Sequence, residues 1–297
     1  MTRWAALAST ARRRVSWLVR DRLPERRVVR EVQGVRLALP WSHRLPDYAA
    51  ANPAYGQNLV ELAALLAKEE PLTLLDIGAN VGDSTLQILH AAGGRALCVE
   101  GDPGYLTYLH LNVDGDDRVD VVEALLTVDE IGEATTAVRS GGTTRFVRGE
   151  TAGDAMPSVS ATELRGAFPA FDRLRLVKSD TDGYDVLLVP AVAEAWSDSP
   201  PVLFFEYDPY LIRLAGLDPA AVWPTLEQLG YVDVAVWDHG GTPMGRFQPG
   251  ELGARSAELD QIPGDRPAAR SYWDVALAHR DDAAGRAALA SLIPTTR

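Results

Sequence analysis

The stretch LDIGANVGDST, residues 75–85, joins an acid, three closely spaced small or polar residues and the start of a helical pattern. Asp76 opens the turn, Gly78, Asn80 and Gly82 form it, and Asp83 and Ser84 follow. Glycine loops of this kind serve nucleoside triphosphates, dinucleotides and S-adenosylmethionine. A Walker loop is excluded, because no Gly-Lys-Ser/Thr follows the glycines. The dinucleotide pattern G-x-G-x-x-G is unmet as well, since the spacing here is G-x-N-x-G. Charge separates the remaining ligands. A pyrophosphate needs a bare, positive helix N-terminus, whereas Asp83 or Ser84 is expected to cap this one, with Ser84 and Gln87 in capping-box spacing. Two acids flanking the loop would repel phosphate and attract a ligand with an ammonium and a sulfonium, as S-adenosylmethionine has. Its ribose hydroxyls need an acceptor at the end of the next strand. Glu100 stands there, 24 positions after Asp76, and Asp102 follows in the same segment, CVEGDP. An acid at that distance also fits NAD, so Glu100 alone does not discriminate.

Further acids lie at the ends of later strands. Asp180 closes LRLVKSD, Glu206 lies near the end of PVLFFEYD, and Asp208 follows two residues on. In open α/β sheets all three should face one cleft. They could hold a divalent ion that acidifies an acceptor hydroxyl, or one could meet the methionine ammonium while the others are hydrogen-bonded loop acids; the metal stays unassigned. Lys178, two residues before Asp180, shares its side of the strand and suits an ion pair or help with deprotonation. His43 in PWSHRLP and His239 in VWDHGGTP are candidate general bases in loops, weighed against plain surface histidines. Tyr207 and Tyr210 are candidates for lining an acceptor pocket, and Trp223, Tyr231 and Trp237 for the core.

These groups need elements to position them. Short apolar runs at 72–77, 95–100, 119–126, 174–180 and 201–208 alternate with helical patterns, and two late strands, YVDVAVWD and SYWDVALAHR, are joined by a Gly/Pro-rich stretch and a linker. This predicts a parallel sheet covered on both faces with an antiparallel edge. VVREVQGVRLALP alternates about Gly34 as a hairpin preface, and residues 128–160 read as an insertion. Residues 1–44 are therefore taken as a basic arm plus β preface, and 45–297 as one cofactor-binding domain.

Charge is uneven along the chain. Residues 1–30 carry nine Arg against Asp21 and Glu25, while the whole chain has a net charge of −12. Trp4, Leu7, Ala11, Val15 and Leu18 recur at helical spacing, so the arm is expected to pack on the domain or on a second subunit as a helical extension. A nucleic acid, an anionic membrane or an acidic partner is the other reading of the arm. The acidic remainder argues against a nucleic-acid reader, and a homo-oligomer is left open. The one cysteine, Cys98, permits no intrachain disulfide. With no long apolar run, a cytoplasmic chain is expected.

Taken together, LLDIGANVGDST, CVEGDP, LVKSDTDGYDVLL and VLFFEYDPYL resemble the FkbM family of S-adenosylmethionine-dependent methyltransferases over roughly residues 45–280. The resemblance implies a Rossmann-like class I methyltransferase sheet of seven strands, mostly parallel with the last reversed. It also implies methyl transfer, most often to a hydroxyl of a sugar or secondary metabolite. Asp76, Gly78, Asn80 and Gly82 match the family's cofactor loop, Glu100 its ribose acceptor, and Lys178, Asp180, Asp182, Gly183 and Asp185 its second signature. The chain departs from that signature at Ser179, where an apolar residue is usual, and at Asp182 and Asp185, where Glu is usual. Each Asp shortens the reach by one methylene. The competing readings are an NAD(P)-dependent oxidoreductase on a related sheet, whose Tyr-x-x-x-Lys spacing is absent, and a scaffold that binds cofactor without catalysing.

Overall fold

The computed structural model describes residues 17, 19–23, 26–128, 135–140, 143–148, 157–256 and 272–294, the two segments 135–140 and 143–148 by their backbone alone. The arm residues Trp4, Leu7, Ala11, Val15 and Leu18 lie outside this set. Where the arm is described, the Trp17 indole and the Arg20 guanidinium both donate to Asp47, at 2.9 and 2.6 Å.

The alternating preface forms an antiparallel hairpin, β1 (Arg27–Val32) and β2 (Val35–Pro40). Its turn residues Gln33 and Gly34 have φ of 48° and 88°, the left-handed pair that a two-residue type I′ turn demands. Val32, Val35, Leu37 and Leu39 face inward and pack with Val81 and Tyr105 of the main domain. Asn112 fastens this contact: its Oδ1 accepts from the Ala38 amide at 2.6 Å and its Nδ2 donates to the Ala38 carbonyl at 3.0 Å.

Two helices, α1 (Leu45–Ala51) and α2 (Gln57–Leu66), lead into β3 (Thr73–Ile77). Then come α3 (Asp83–Ala92), β4 (Arg95–Glu100), α4 (Pro103–Val113) and β5 (Val119–Glu123). The run read as one strand over 119–126 breaks at Ala124. Its continuation, β6 (Leu125–Thr127), leaves the sheet and pairs in parallel with β9 (Ser158–Ser160). Within the insertion, β7 (Thr135–Ser140) and β8 (Thr143–Arg148) pair as a hairpin. The chain continues through α5 (Ala161–Ala167), β10 (Leu176–Ser179), α6 (Asp185–Ala195), β11 (Val202–Tyr207), α7 (Pro209–Leu214) and α8 (Val222–Gln228). It closes with β12 (Tyr231–Asp238), β13 (Pro243–Phe247), α9 (Pro249–Arg255), β14 (Trp273–His279) and α10 (Ala283–Leu292).

The main sheet has the order β13-β12-β14-β11-β10-β3-β4-β5. Strands β5, β4, β3, β10 and β11 run parallel, and β14 lies antiparallel between β11 and β12. This is the Rossmann-like class I methyltransferase arrangement, with one addition. Strand β13 extends the edge to eight strands, in the stretch expected to be a linker. Its sequence, PMGRF, shows no alternation because an edge strand starting at Pro243 buries neither face fully. Helix α10 was likewise not anticipated.

Alternation along the central strands feeds two cores. Leu75, Ile77, Leu97, Val99, Val177, Leu203 and Phe205 point to the face covered by α5, α6 and α8. Leu74, Ala96, Leu176, Val202 and Phe204 point to the face covered by α2, α3 and α10. Trp223 and Tyr231 are buried in the first core and Trp237 in the second. Among the described residues no helix is long and apolar enough to cross a membrane.

Candidate functional site

Between β3 and β10 the sheet changes direction of winding, and in such sheets a crevice opens beyond the carboxyl ends of the strands at that point. A cavity of about 240 Å³ lies there, lined from both sides of the switch. The loop after β3 forms its floor. Gly78, Asn80 and Gly82 all have positive φ, of 70°, 53° and 82°. At Gly78 a side chain is impossible: a Cβ would sit 2.2 Å from the Asp180 carbonyl oxygen, so the glycine lets the ends of β3 and β10 close on each other. Glu100, at the end of β4, holds the loop. Its Oε2 accepts from the Asn80 amide at 2.8 Å and its Oε1 from the Asp102 amide at 2.7 Å. Each oxygen keeps a second lone pair, and Glu100 lines the cavity.

Helix α3 starts differently from expectation. Gly82 is its N-cap, in the left-handed conformation and with no side-chain cap, so the Ser84–Gln87 capping box does not form. Asp83 and Ser84 are thereby drawn into the first turn and line the cavity. Burial raises Asp83 to about 6, against the easing effect of Lys178.

Asp76 does not line the cavity. It is wholly buried beneath the loop, accepting from Thr85 Oγ1 at 2.6 Å and pairing with Lys178 Nζ at 2.9 Å. The pairing follows from register, since Lys178 and Asp76 are opposite each other on β10 and β3. Lys178 also donates to the Gly78 carbonyl at 2.9 Å. Burial works to lower its pKa, but Asp76, Asp180 and Asp83 together push it above the ordinary value. Lys178 therefore stays charged and is spent on the loop, which removes it as a proton acceptor.

Asp180 lies exposed at the mouth of the cavity, and Asp182 beside it has φ of 51°. Asp185 points inward: it accepts from Ser179 Oγ at 2.6 Å, from the Thr181 amide at 3.2 Å and from the Gly183 amide at 3.3 Å. Ser179 and Asp185, two of the positions that depart from the signature, thus bond to each other and fold the 179–183 turn. Gly183, with φ of 101°, is needed because a Cβ would meet Leu211 backbone at 2.6 Å.

On the far side stand Glu206 of β11 and Asp274 of β14, opposite each other in antiparallel register. Asn58 Nδ2 donates to Asp274 Oδ2 at 2.9 Å. Burial, reinforced by Asp180, Asp182, Asp185 and Asp208, raises Glu206 well above the ordinary carboxylate range. Asp274 is raised to about 7 by burial, eased by the Asn58 hydrogen bond. Burial and these same carboxylates also raise the phenols of Tyr55 and Tyr272, which line the cavity beside them.

Several candidates lie elsewhere. Asp208 and Asp102 are helix N-caps: Asp208 accepts from the Tyr210 and Leu211 amides at 2.9 and 3.2 Å, and Asp102 from the Gly104 amide at 2.7 Å. Both are buried and neither lines the cavity. Tyr207 is core, stacked near Trp223 and Trp273, and Tyr210 is exposed outside the cavity. His239 is exposed in the β12–β13 turn and does not line the cavity either. His43 does line it, but as a support. The Leu45 amide donates to its Nδ1 at 3.3 Å, which leaves the proton on Nε2, 3.3 Å from Asn80 Oδ1. Burial lowers His43 to about 4, so it is neutral and poorly basic. Among the described residues no group of three His, Cys, Asp or Glu side chains is placed to hold a metal ion.

Tyr55, Asn58, Tyr272 and Asp274 were missed in the sequence. Asp274 left one signal: a lone acid inside an apolar strand, which burial tolerates only with a partner or a purpose.

No family model matches the chain, and no curated protein matches it in sequence. Three solved structures resemble the chain at low identity. A precorrin-6y C5,15-methyltransferase from Geobacter metallireducens is 15% identical, with 70% of this chain and 81% of that one covered and a TM-score of 0.35. The fibrillarin pre-rRNA processing protein of Methanococcus jannaschii is 10% identical over 70% and 67%, at 0.39. The structure of EvdMO1 is 15% identical over 90% of this chain and 47% of its own, at 0.41. Likeness at this level assigns no reaction.

Proposed function

We propose that the chain is an S-adenosylmethionine-dependent methyltransferase that methylates a hydroxyl on a sugar or secondary-metabolite acceptor. The observation that carries this reading is the charge of the cavity. Asp83, Glu100, Asp180, Asp182, Glu206 and Asp274 line it, against the single ammonium of Lys178, which is already paired with Asp76. Such a wall suits a donor with a sulfonium and an ammonium and disfavours the pyrophosphate of a dinucleotide. When bound, the donor supplies an electrophilic methyl group on sulfur.

The residues fit that donor. Glu100 offers both carboxylate oxygens to ribose hydroxyls, and Val99, Leu125, Leu126 and Leu188 give an apolar flank for a flat base. Gly78 keeps the floor clear of side chains, and Asp180 and Asp182 at the mouth offer carboxylates to the ammonium. Glu206, raised by burial among like charges, accepts the acceptor's hydroxyl proton on a carboxylate oxygen. His43 fixes Asn80, and Lys178 and Asp76 hold the loop, so the chain mainly aligns the two substrates.

Calorimetric titration tests the reading. S-adenosylhomocysteine should bind with a micromolar-range Kd of about 1–100 µM, with NAD(H) giving no heat. Glu100→Ala should weaken the analogue by about tenfold to a hundredfold, the loss of charge-assisted hydrogen bonds. Tight NAD(H) binding with none of the analogue would falsify it.

A further inference from the structure

The cavity has two ends, and only one is accounted for by the donor. Glu100 ends β4, while Glu206 and Asp274 end β11 and begin β14. From β4 to β11 is three strand spacings across β3 and β10, roughly 14 Å at the usual inter-strand distance. A donor anchored at Glu100 therefore leaves the β11–β14 end for the acceptor.

That end is built for positive charge. Glu206 and Asp274 stand directly opposite each other across an antiparallel pair, so their side chains leave the same face of the sheet. Asn58 orients Asp274 by donating to Oδ2 at 2.9 Å, which leaves Oδ1 for a ligand. Glu206 lines the cavity, half-buried, and has no hydrogen bond or ion pair among the described residues. The rings of Tyr55 and Tyr272 border the same space. With a neutral acceptor the two carboxylates escape their mutual repulsion only by holding protons, which is the direction in which burial and their neighbours already shift both. A cation between carboxylates and aromatic faces relieves them.

We propose that the acceptor carries a protonated amine, held by Asp274 against Tyr55 and Tyr272, beside the hydroxyl whose proton Glu206 takes up, so that Glu206 favours the amine through its charge alone. The amine is a recognition handle and takes no part in the transfer. The inference rests on reading the cavity as the donor and acceptor site of a methyltransferase. It narrows the acceptor class to aminated sugars and amino alcohols.

Saturation-transfer NMR on the full chain with excess S-adenosylhomocysteine provides the test. The probes are glucosamine, galactosamine and 2-amino-1-phenylethanol, each with its N-acetyl counterpart. At least one amine should bind at least about tenfold tighter than its N-acetyl form, the scale of one charge-assisted contact. Asp274→Asn, nearly isosteric, should erase that preference, and Glu206→Gln should reduce it independently should the first variant fold poorly. If no amine is preferred over its N-acetyl form, or the preference survives both substitutions, the proposal is overturned. Calorimetry with S-adenosylhomocysteine alone separates the failures: donor binding without amine preference sinks this inference only, and loss of donor binding sinks the reading beneath it.

Discussion

Single residues in this cavity differ by environment more than by type. Six carboxylates share it, yet Glu100 is stitched to two backbone amides while Glu206 has no hydrogen-bond partner among the described residues. A proton acceptor for a hydroxyl must be ionised to act, and Glu206 is held well above its ordinary range by burial among Asp180, Asp182, Asp185 and Asp208. Methyl transfer should therefore rise with pH along an acid limb set by Glu206. In Glu206→Gln the rate should fall by about a hundredfold or more and that limb should vanish from the pH profile. Asp274 makes a separate, thermodynamic prediction. Its folded pKa of about 7 lies above the unfolded value, so the folded state binds the extra proton and stability falls as pH rises from about 4 through 7. Asp274→Asn should flatten that fall, and its Tm at pH 8 should exceed the parent's by at least ~2 °C. An unchanged or steeper fall in a scan from pH 5 to pH 8 would show that Asp274 is not the group responsible.

At the scale of elements, the decisive contact is the Lys178–Asp76 pair joining β10 to β3. Two parallel strands meet there at the switch point, and the ammonium also ties down the loop through the Gly78 carbonyl. Lys178→Met would leave Asp76 charged, buried and uncompensated, at a cost of about 3–5 kcal/mol. The double variant Lys178→Met with Asp76→Leu should recover most of that loss in urea unfolding, because two apolar groups remove the stranded charge. Both variants should lose donor binding, since the loop has lost its tether in each. Much of this scale was legible beforehand. The alternation of apolar runs and helical patterns predicted β3, β4, β10 and β11 within a residue or two, because fully buried parallel strands must be nearly all apolar. Lys178 and Asp180 both line the cavity, but β10 ends at Ser179, so the two-residue alternation expected to link them does not extend to Asp180. The cap of α3 was not legible: Asp83 and Ser84 carry cap chemistry, and only the left-handed backbone at Gly82 moves the helix start one residue earlier. Strand β13 escaped for a related reason, since an edge strand with one neighbour need not alternate.

For the molecule as a whole, acidity is concentrated in the crevice beyond the strand ends. The cavity's carboxylates face one paired ammonium, within a chain whose net charge is −12. Such a field favours the cationic donor over its neutral product. S-adenosylmethionine should thus bind more tightly than S-adenosylhomocysteine at low ionic strength, and raising salt from about 0.05 to 0.5 M should weaken the donor several-fold more than the product. Equal salt sensitivity of the two, measured by calorimetry, would show that the field does not discriminate. The hairpin β1–β2 belongs to this scale too: through Asn112 and the Val81–Tyr105 contacts it braces the layer that presents His43 to the loop.

Local chemistry and periodicity determined the sheet type, the glycine loop and the acids Glu100, Asp180 and Glu206, because each is written in neighbouring residues within one strand-turn-helix unit. Tertiary structure alone decided which acids line the cavity. Asp76, Asp102, Asp185 and Asp208 look no different in sequence from Asp83 or Asp274, yet the first four are consumed by a lysine, backbone amides and helix caps. The last two reach the cavity from the first turn of α3 and from β14, elements far apart in the chain that the folded sheet brings to one crevice. A carboxylate's role follows from what surrounds it on every side, and most of those neighbours come from elsewhere in the chain.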